Sequence, residues 1–222
     1  MTALVRMPPA PARAAGVRPT RDAARTQAAI LDAATSEFAR HGLGGARVDR
    51  IAALANTNKR MLYYYFGAKE DLVLAVLERA YEHIRSEERK LNLADLPPAN
   101  GVEELVAFTW NYYIAHPEFI TLLNSENLHR ARHLKRSRKI RALHSPFVAT
   151  LSEVLDRGVR AGVFRRGVDP VQLYVSIAAL GYFYLSNNHT LSTIFGRDLM
   201  TARAKAERLA HIQSLVHGYL AR

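Results

Sequence analysis

The chain has 222 residues, of which 49% are apolar and 23% are charged, a composition typical of a folded globular protein rather than a disordered one. It contains no cysteine, which excludes disulfides, thiolate zinc sites and cysteine nucleophiles, and no apolar run reaches the roughly 20 residues that a membrane-spanning helix needs. The formal net charge of +11 favours a polyanionic partner such as nucleic acid or an acidic membrane surface, although such an excess also serves general solubility.

Three regions follow from the patterning of the chain. Residues 1–20 are rich in Pro, Ala and Arg and lack the apolar core of a signal peptide, so we predict a disordered basic arm and a cytoplasmic protein. Beyond them, apolar residues recur at helical spacing without a strand pattern, which predicts an all-α fold. We assign 21–84 to an N-terminal domain and 85–222 to a larger helical domain, with the clearest linker at Pro97-Pro98.

The N-terminal domain is predicted to contain a helix-turn-helix arrangement. A long first helix stops at Gly42, because glycine readily adopts the left-handed conformation that ends a helix. A two-turn amphipathic helix begins at Val48, the chain turns at Asn56, and Asn58 caps a short helix that runs to Phe66. Two short helices joined by such a tight turn form this motif, which spans about 47–66.

The stretch NTNKRMLYYYF in this motif combines two cations with three consecutive tyrosines. At about 100° per residue, Leu62 and Phe66 share the inward face, and the remaining side chains lie outward or beside it. Lys and Arg neutralise phosphates and read guanine, and tyrosine hydroxyls bond phosphate oxygens, so the mixture suits a DNA groove; a solvated helix is the alternative. The residues predicted to meet DNA here are Lys59, Arg60, Met61, Tyr63, Tyr64 and Tyr65.

The charge distribution agrees, because residues 1–65 contain ten Lys or Arg and four acids and so carry +6 of the net +11. ILDAATSEFARHGLGGARVDRIAALANTNKRMLYYYFGAKEDLVLAVL, within about 24–84, resembles the DNA-binding region of the tetracycline-repressor (TetR) family of bacterial regulators. The resemblance implies that the third helix enters the major groove and that a dimer reads a near-palindromic operator. It also implies that Arg60, Met61 and the three tyrosines face double-stranded DNA, while Arg47 and Lys69 hold phosphates.

Three positions depart from the family pattern. Threonine is usual where Ala46 stands, glycine where Asn56 stands, and a small residue where Arg60 stands. The first change weakens a helix cap, and the third places a large cation in the expected groove. These departures affect the operator sequence rather than the fold.

The larger domain is expected to bind an inducer and to dimerise. Beyond about residue 90 the family resemblance fades, and the architecture it implies is a helical domain that dimerises through its last two long helices. Independently, LYVSIAALGYFYLS is apolar nearly all round, so the segment from Val171 to Ser186 needs a large neighbour that buries it. A four-helix homodimer interface would supply that neighbour, and a central helix within a monomer is the alternative.

The wall of the inducer site is predicted around FTWNYYIAHPEF, where aromatic rings and a few polar tips fall in adjoining helices. This combination suits an aromatic or heterocyclic effector in an apolar cavity, although each residue alone is also compatible with ordinary core packing. The C-terminal half loosely resembles the nicotinate-pathway repressor group of the family, whose members control the catabolism of nitrogen heterocycles. The predicted ligand-binding residues are Phe108, Trp110, Tyr112, Tyr113, His116, Phe119 and Asn127.

Two polar clusters in the same half carry weaker signals. Glu126, His129 and His133 stand at i, i+3 and i+7 and could bind a divalent metal, but a helix break near residue 131 would destroy their alignment, so we predict surface histidines instead. Between residues 130 and 141 lie seven cations and no acid, a run that is typical of a solvated face and could also add phosphate contacts.

The predicted function is that of a sequence-specific DNA-binding transcriptional regulator, a repressor that a ligand releases from its operator. No glycine-rich phosphate loop, nucleophile elbow or paired-carboxylate motif is visible, so we predict no enzyme activity, cofactor or metal. The expected partners are an operator, a small-molecule effector and a second copy of the chain, without a membrane. The alternative is a basic helical protein that binds acidic membranes, or nucleic acid without sequence preference.

Overall fold

The computed structural model describes residues 21–222, where every regular element is helical, which confirms the all-α prediction. The elements are α1 (Arg21–Gly45), α2 (Val48–Leu54), α3 (Lys59–Phe66), α4 (Lys69–Arg89), α5 (Pro98–Ala115), α6 (Pro117–Leu128), a 3₁₀ turn (Leu134–Arg136), α7 (Arg138–Arg160), α8 (Pro170–Ser186), α9 (Asn188–Phe195) and α10 (Ala202–Leu220). None of these helices is long and apolar enough to cross a membrane. The predicted basic arm lies outside the described residues.

The turn residues of the first domain act as the sequence predicts. Gly42 has a left-handed φ of 66° and interrupts α1, which continues for about one further turn to Gly45. Asn56 also has a positive φ, 49°, in the connection between α2 and α3. The Asn58 side chain accepts a hydrogen bond of 3.0 Å from the backbone N–H of Met61 and thereby caps α3. The helix-turn-helix arrangement is therefore present.

Helices α1 to α4 enclose a core that continues into the larger domain. Ile30, Phe38 and Leu62 have no exposed surface, and the cluster around them extends to Leu122 of α6 and Ile140 of α7. The fourth helix runs without interruption across the domain boundary that we placed from the sequence. The DNA-binding candidate thus rests on the larger domain, and α4 connects the two.

The larger domain is built around α5, which packs against α7, α8 and α10. Leu105 and Trp110 of α5 are buried in this core with Leu151 and Val154 of α7. The fifth helix begins at Pro98, inside the predicted Pro97-Pro98 linker, because proline is favoured in the first turn of a helix, where its missing N–H is not needed. Helix α9 was not predicted, and since none of its residues is buried, no core-facing stripe marks it in the sequence.

The basic segment 130–141 lies against the acidic side of α4. Three of its cations form ion pairs with acids on that helix: Arg132 with Glu70 at 3.7 Å, Arg136 with Asp71, and Lys139 with Glu82 at 2.6 Å. The interpretation of this run as a freely solvated face is therefore corrected, because composition along the chain does not reveal a partner on a distant helix. Each half-exposed pair contributes at most about 1 kcal/mol, but together they fix the start of α7 on α4.

Glu126 closes the connection between α6 and α7. Its Oε1 accepts hydrogen bonds from the backbone N–H groups of His133 and of the next residue, at 2.8 and 3.0 Å, and its Oε2 lies 2.7 Å from His133 Nδ1. Arg130 and Ala131 have positive φ angles, so Glu126 and the two histidines do not share one helix face. The prediction of surface histidines is wrong for His133, which is 4% exposed because its ring packs onto the buried Glu126 carboxylate. Within residues 21–222, no group of three or more His, Asp or Glu could hold a metal ion.

Candidate nucleic-acid interface and ligand cavity

The outer face of α3 presents the side chains that the sequence predicts for DNA. Lys59, Arg60 and Tyr63 are exposed, and Tyr64 is 70% exposed. On the opposite side of the helix, Leu62 is completely buried and anchors α3 to the core. The face therefore offers two cations and two phenols on a helix whose position is fixed by packing.

Two of the predicted residues support this face from its edge. Met61 and Tyr65 are half-buried, and Tyr65 packs against the core that α1 to α4 share. The rings of Tyr64 and Tyr65 meet edge to face, with centroids 5.2 Å apart. This ring contact supports Tyr64 on one side and leaves most of its ring and its hydroxyl in solvent.

The cations that flank α3 are tied to the start of α2. The Arg47 guanidinium donates a hydrogen bond of 2.9 Å to Asp49, whose carboxylate also lies 3.8 Å from the Lys59 ammonium. The Lys69 ammonium donates a 2.7 Å hydrogen bond to the Ala46 carbonyl, so it fastens α4 to the segment before α2. An ammonium has three N–H donors, and Lys69 can therefore hold this carbonyl and still meet a phosphate.

Glu37 organises the start of α2, a role that we did not predict. The carboxylate is only 3% exposed, and its Oε1 accepts hydrogen bonds from the Arg47 backbone N–H at 2.9 Å and from Arg50 Nε at 2.7 Å. No side chain caps α2 at Arg47, and Glu37 satisfies this N–H from the neighbouring helix. The signal in the sequence is an acid on the apolar stripe of α1, three residues after Ala34 and next to Phe38.

The pKa of Glu37 makes this contact sensitive to acid. Burial alone would raise that pKa, but the hydrogen bonds from Arg50 and from the Arg47 N–H, with the nearby positive charge, lower it below its usual value of 4.5. A carboxylate whose pKa is depressed by folding stabilises the protein above its usual pKa and loses that contribution as the pH falls through the folded value. The N-terminal domain should therefore loosen only as the pH falls below 4.5, the usual pKa of a glutamate side chain.

Replacing Glu37 by Gln tests this sign. At neutral pH the variant should lose about 1.5–3 kcal/mol of stability, because hydrogen bonds to a charged acceptor are replaced by weaker ones. The difference from the parent protein should shrink as the pH is lowered through the folded pKa, as measured by urea unfolding. Glu104→Gln, at an exposed position on α5, is the matched control. Equal losses at neutral and acidic pH would show that the charge of Glu37 is not what stabilises the domain.

A cavity of about 250 Å³ lies between the last turns of α4, the α4–α5 connection and the middle of α7. Leu143 and Phe147 form much of its α7 side, and Arg85 and Glu88 line it from α4. The guanidinium of Arg157 donates hydrogen bonds to two carbonyls of the α4–α5 connection, at 2.9 and 3.0 Å, and so holds that part of the wall in place. A cavity of this size accepts a small molecule.

The residues predicted to line the ligand site lie behind this wall instead. None of Phe108, Trp110, Tyr112, Tyr113, His116, Phe119 and Asn127 lines this cavity or a much smaller one of about 10 Å³ beside α5 and α10. Trp110, Tyr112, Tyr113 and Phe119 are buried in the core of the larger domain. Their rings pack closely, as in the stacked pair Tyr113 and Phe119, and leave no cavity for a ligand between them. Helical periodicity identifies such rings as inward-facing, but it does not separate a packed core from the wall of a cavity.

The three other predicted ligand residues also make contacts within the helical core or on its surface. Phe108 is half-buried, and its ring centroid lies 5.7 Å from that of Tyr112. His116 Nδ1 lies 3.1 Å from a Glu118 carboxylate oxygen, and its ring meets that of His83 on α4. Asn127 donates a 3.0 Å hydrogen bond to the Leu123 carbonyl on its own helix. These contacts lie outside the cavity between α4 and α7.

Arg85 and Glu88 form a buried ion pair in the cavity wall that sequence reasoning missed. They are 2% and 4% exposed, with Arg85 Nη1 2.8 Å from Glu88 Oε2. The guanidinium also donates a 3.0 Å hydrogen bond to the Tyr174 hydroxyl and lies 4.6 Å from the centre of the Phe147 ring. Burial raises the pKa of Glu88 to about 7, although Arg85 and Arg89 partly oppose the shift. The signal in the sequence is two charges on the buried stripe of α4.

An apolar surface remains exposed along the last long helices. On α8, Val171, Val175 and Phe183 lie on one side at four- and eight-residue spacing and are all exposed. On the adjacent α10, Leu215 and Tyr219 are exposed and also four residues apart. Two such stripes on neighbouring helices are typical of a surface that another molecule covers.

Both domains match known protein families. Residues 30–76 match the family described as bacterial regulatory proteins, tetR family, and residues 98–216 match the tetracyclin repressor-like C-terminal domain. The chain is 43% identical over 203 residues to the HTH-type transcriptional repressor NicS of Pseudomonas putida, covering 91% of this chain and 95% of that protein. It is 41% identical over 110 residues to the HTH-type transcriptional repressor SCO4008 of Streptomyces coelicolor, covering 49% and 53% of the two chains.

Solved structures share the whole architecture. SCO4942 of Streptomyces coelicolor superimposes with a TM-score of 0.67 at 26% identity, covering 88% of this chain and 98% of that one. The ketosteroid transcriptional regulator KstR2 of Mycobacterium tuberculosis gives a TM-score of 0.65 at 20% identity, covering 95% and 100%. At 20% identity the likeness to KstR2 shows the fold alone.

Proposed function

Because this chain belongs to the TetR family of bacterial transcriptional regulators, we propose that it is a dimeric repressor whose two α3 helices read an operator. The observation that carries this function is the outer face of α3, where cations and phenols stand on a helix anchored by the buried Leu62. NicS and SCO4008, which resemble the chain in sequence, are both named repressors. A regulator that works on the bacterial chromosome acts in the cytoplasm.

Each side chain of the interface has a proposed role. Arg60, in the first turn of α3, reads a base edge, because an arginine fork matches the acceptors of guanine in the major groove. Tyr64 bonds a phosphate oxygen from the exposed end of the same face. Arg47 and Lys69 hold phosphates beside the groove, near the start of α2 and of α4. Lys59, Met61, Tyr63 and Tyr65 complete the surface that DNA covers.

Alanine variants of the two kinds of contact test this assignment. Arg60→Ala should change sequence preference at one base pair, with a cost of roughly 1–3 kcal/mol for that base pair. Tyr64→Ala should weaken binding to operator and random DNA by similar factors, because a phosphate contact carries no sequence information. Fluorescence anisotropy with both DNAs measures the two affinities. Arg160→Ala, at an exposed position at the end of α7, is the control. If the Arg60 and Tyr64 variants are folded and bind both DNAs like the parent, the assignment of α3 to the DNA interface is wrong.

The dimer is proposed to form through the exposed stripes of α8 and α10. Phe183 on α8 and Tyr219 on α10 are among the large apolar side chains left in water by the single chain. A second copy would cover them with the same residues of its own, as a two-fold symmetric interface requires. The dimer then presents two α3 helices to half-sites about one helical turn, or ~34 Å, apart.

A small molecule in the cavity between α4 and α7 is proposed to release the repressor. The fourth helix follows α3 after a two-residue connection, so a shift of α4 also moves α3, the helix proposed to read the operator. The Arg136–Asp71 and Lys139–Glu82 pairs hold α4, as far as Glu82, to the start of α7 and the turn before it, whereas the cavity lies between the last turns of α4 and α7. A ligand that wedges this gap would therefore tilt α4. A preference of about 1–3 kcal/mol for the tilted state lowers operator affinity 5- to 150-fold.

The proposed effector is a small aromatic or heterocyclic molecule. Phe147, Leu143 and Pro146 line the cavity from α7 and give it apolar surface. The aromatic cluster of α5 and α6 stands behind the site, where Tyr81 packs against both Phe119 and His144. In this proposal the predicted aromatic residues support the cavity wall from the core and do not contact the ligand.

A further inference from the structure

The basic connection between α6 and α7 carries more positive charge than α4 neutralises. Seven cations lie between residues 130 and 141, and three of them pair with acids of α4. The other four take no part in these pairs, and all are exposed: Arg130, Lys135, Arg138 and Arg141. Seven cations against three acids leave an excess of +4 on one short segment. Such an excess attracts a polyanion if the segment lies where one can bind.

The first part of the connection lies at the start of α4, next to the proposed DNA interface. Arg132 Nη2 is 3.7 Å from a Glu70 carboxylate oxygen, and Arg136 pairs with Asp71. Both acids directly follow Lys69, the residue proposed to hold a phosphate. The connection therefore borders a surface that DNA is proposed to cover.

The connection moves away from this end of α4 as α7 begins. Lys139, in the first turn of α7, pairs with Glu82, which at 1.5 Å per residue lies ~16 Å further along α4 than Asp71. The exposed cations nearest to the start of α4 are therefore those that precede α7, Arg130 and Lys135.

Buried contacts hold the connection in a fixed position. The Glu126 carboxylate accepts hydrogen bonds from the backbone N–H groups of His133 and Leu134, at 2.8 and 3.0 Å. The Leu134 side chain packs against the core that α1 to α4 share. The Ser137 hydroxyl donates a 2.6 Å hydrogen bond to the Glu78 carboxylate on α4. The cations therefore extend from a backbone that is packed onto the N-terminal domain.

The acids at the start of α4 give this basic neighbour a physical purpose. Glu70 and Asp71 stabilise the start of a helix through its dipole. However, they would repel a phosphate held by Lys69, because charges within ~8 Å of one another are only partly screened at physiological salt. Their two arginine partners neutralise them, and the unpaired cations of the connection then make the surface beside Lys69 positive.

We propose that the α6–α7 connection is a second phosphate-binding surface, through which the larger domain contacts the DNA backbone with Arg130 and Lys135. The phosphates are neighbours of the one that Lys69 is proposed to hold. Since this surface extends the DNA interface beyond the N-terminal domain, it rests on the proposed function. Contacts to phosphates carry no sequence information, so the surface adds affinity for DNA of any sequence.

The salt dependence of DNA binding tests the proposal, because each phosphate contact contributes about 0.9 to the slope of log K against log salt concentration. The double variant Arg130→Gln with Lys135→Gln leaves the three ion pairs with α4 in place. In a dimer it removes two contacts per subunit, so the slope should become shallower by about 3.6. Between 50 and 200 mM salt the parent should then lose about 100-fold more affinity than the variant. Fluorescence anisotropy with a random-sequence duplex measures both proteins.

Arg160→Gln with Arg222→Gln is the matched control, because it removes the same charge from two exposed positions outside the connection. Arg160 ends α7, about 30 Å along that helix from its start. The control should keep the slope of the parent, and circular dichroism and light scattering show whether each protein is folded and dimeric. The proposal is overturned if the two double variants give the same slope. It is also overturned if the Arg130 and Lys135 variant loses binding to phosphatidylglycerol vesicles but not to DNA.

Ethylation interference on the operator locates the contacts. The parent should show phosphates whose ethylation blocks binding and which no longer matter to the variant of Arg130 and Lys135. Identical interference patterns for the two proteins would contradict a second surface.

The two kinds of DNA separate this inference from the proposed function. If the variant has the shallower slope on random DNA but the parent prefers no site, the second surface stands and the repressor function is wrong. If the parent occupies its operator specifically and the variant keeps the parent's slope, the repressor function stands and the second surface is wrong.

Discussion

Replacing Phe183 by Arg is expected to split the dimer and to weaken operator binding about 100-fold or more. Phe183 is 59% exposed on the apolar stripe of α8, where the proposed interface would bury it. A guanidinium group buried in an apolar interface without a partner loses its hydration, and the two-fold symmetry doubles this cost. A monomer binds only one half-site. It therefore loses the increase in affinity of roughly 10²- to 10⁴-fold that comes from joining two DNA-binding domains.

Light scattering and DNA titration at the same protein concentration measure both effects. Leu128→Arg is the matched control, because Leu128 is exposed at the end of α6 and does not belong to the apolar stripes of α8 and α10. The control should remain dimeric and bind the operator like the parent. A Phe183→Arg protein that is still a dimer with full operator affinity would place the interface elsewhere.

Gly158→Ala is expected to cost the larger domain roughly 1–3 kcal/mol, or more if the core cannot adjust. A Cβ at this position of α7 would lie 1.9 Å from Cδ2 of Phe164, far inside van der Waals contact. Phe164 is buried, and its backbone N–H donates a 3.1 Å hydrogen bond to the Gly158 carbonyl, so the ring has little freedom to retreat. The better helix propensity of alanine, worth up to about 1 kcal/mol, offsets only part of this cost.

Urea unfolding at a fixed protein concentration measures the loss, because dimerisation couples stability to concentration. Gly44→Ala is the matched control: a Cβ there meets no atom within 4 Å, so the same exchange should leave stability unchanged or raise it by up to about 1 kcal/mol. If both variants were equally stable, the contact between Gly158 and Phe164 would not limit this position.

Local chemistry made much of the first domain predictable. The left-handed turn at Gly42, the turn at Asn56 and the cap by Asn58 depend on the properties of single residues, and all three are present. The outer face of α3 follows from helical rotation about the buried Leu62. By contrast, the pairing of the basic segment with α4 joins residues about 60 positions apart, and no local pattern reports such contacts.

The cavity was harder to predict because packing, not residue type, decides where space remains. Aromatic residues around Trp110 suggested a ligand wall, but in the structure their rings fill the core. The cavity opens one layer away, beside Arg85 and Glu88, whose place on the buried stripe of α4 indicates that they face inward but does not indicate a cavity. Likewise, Glu37 could be suspected from its place on an apolar stripe, but its partners on α2 only become evident in the folded chain.

A footprint on the DNA upstream of its own gene tests most directly that the protein is a dimeric, sequence-specific repressor. We expect one protected stretch with two near-palindromic half-sites about one helical turn apart. The protection should survive an excess of random DNA and should disappear with Tyr64→Ala at the same protein concentration. Uniform protection that random DNA abolishes, or no protection beside binding to acidic membranes, would contradict this function.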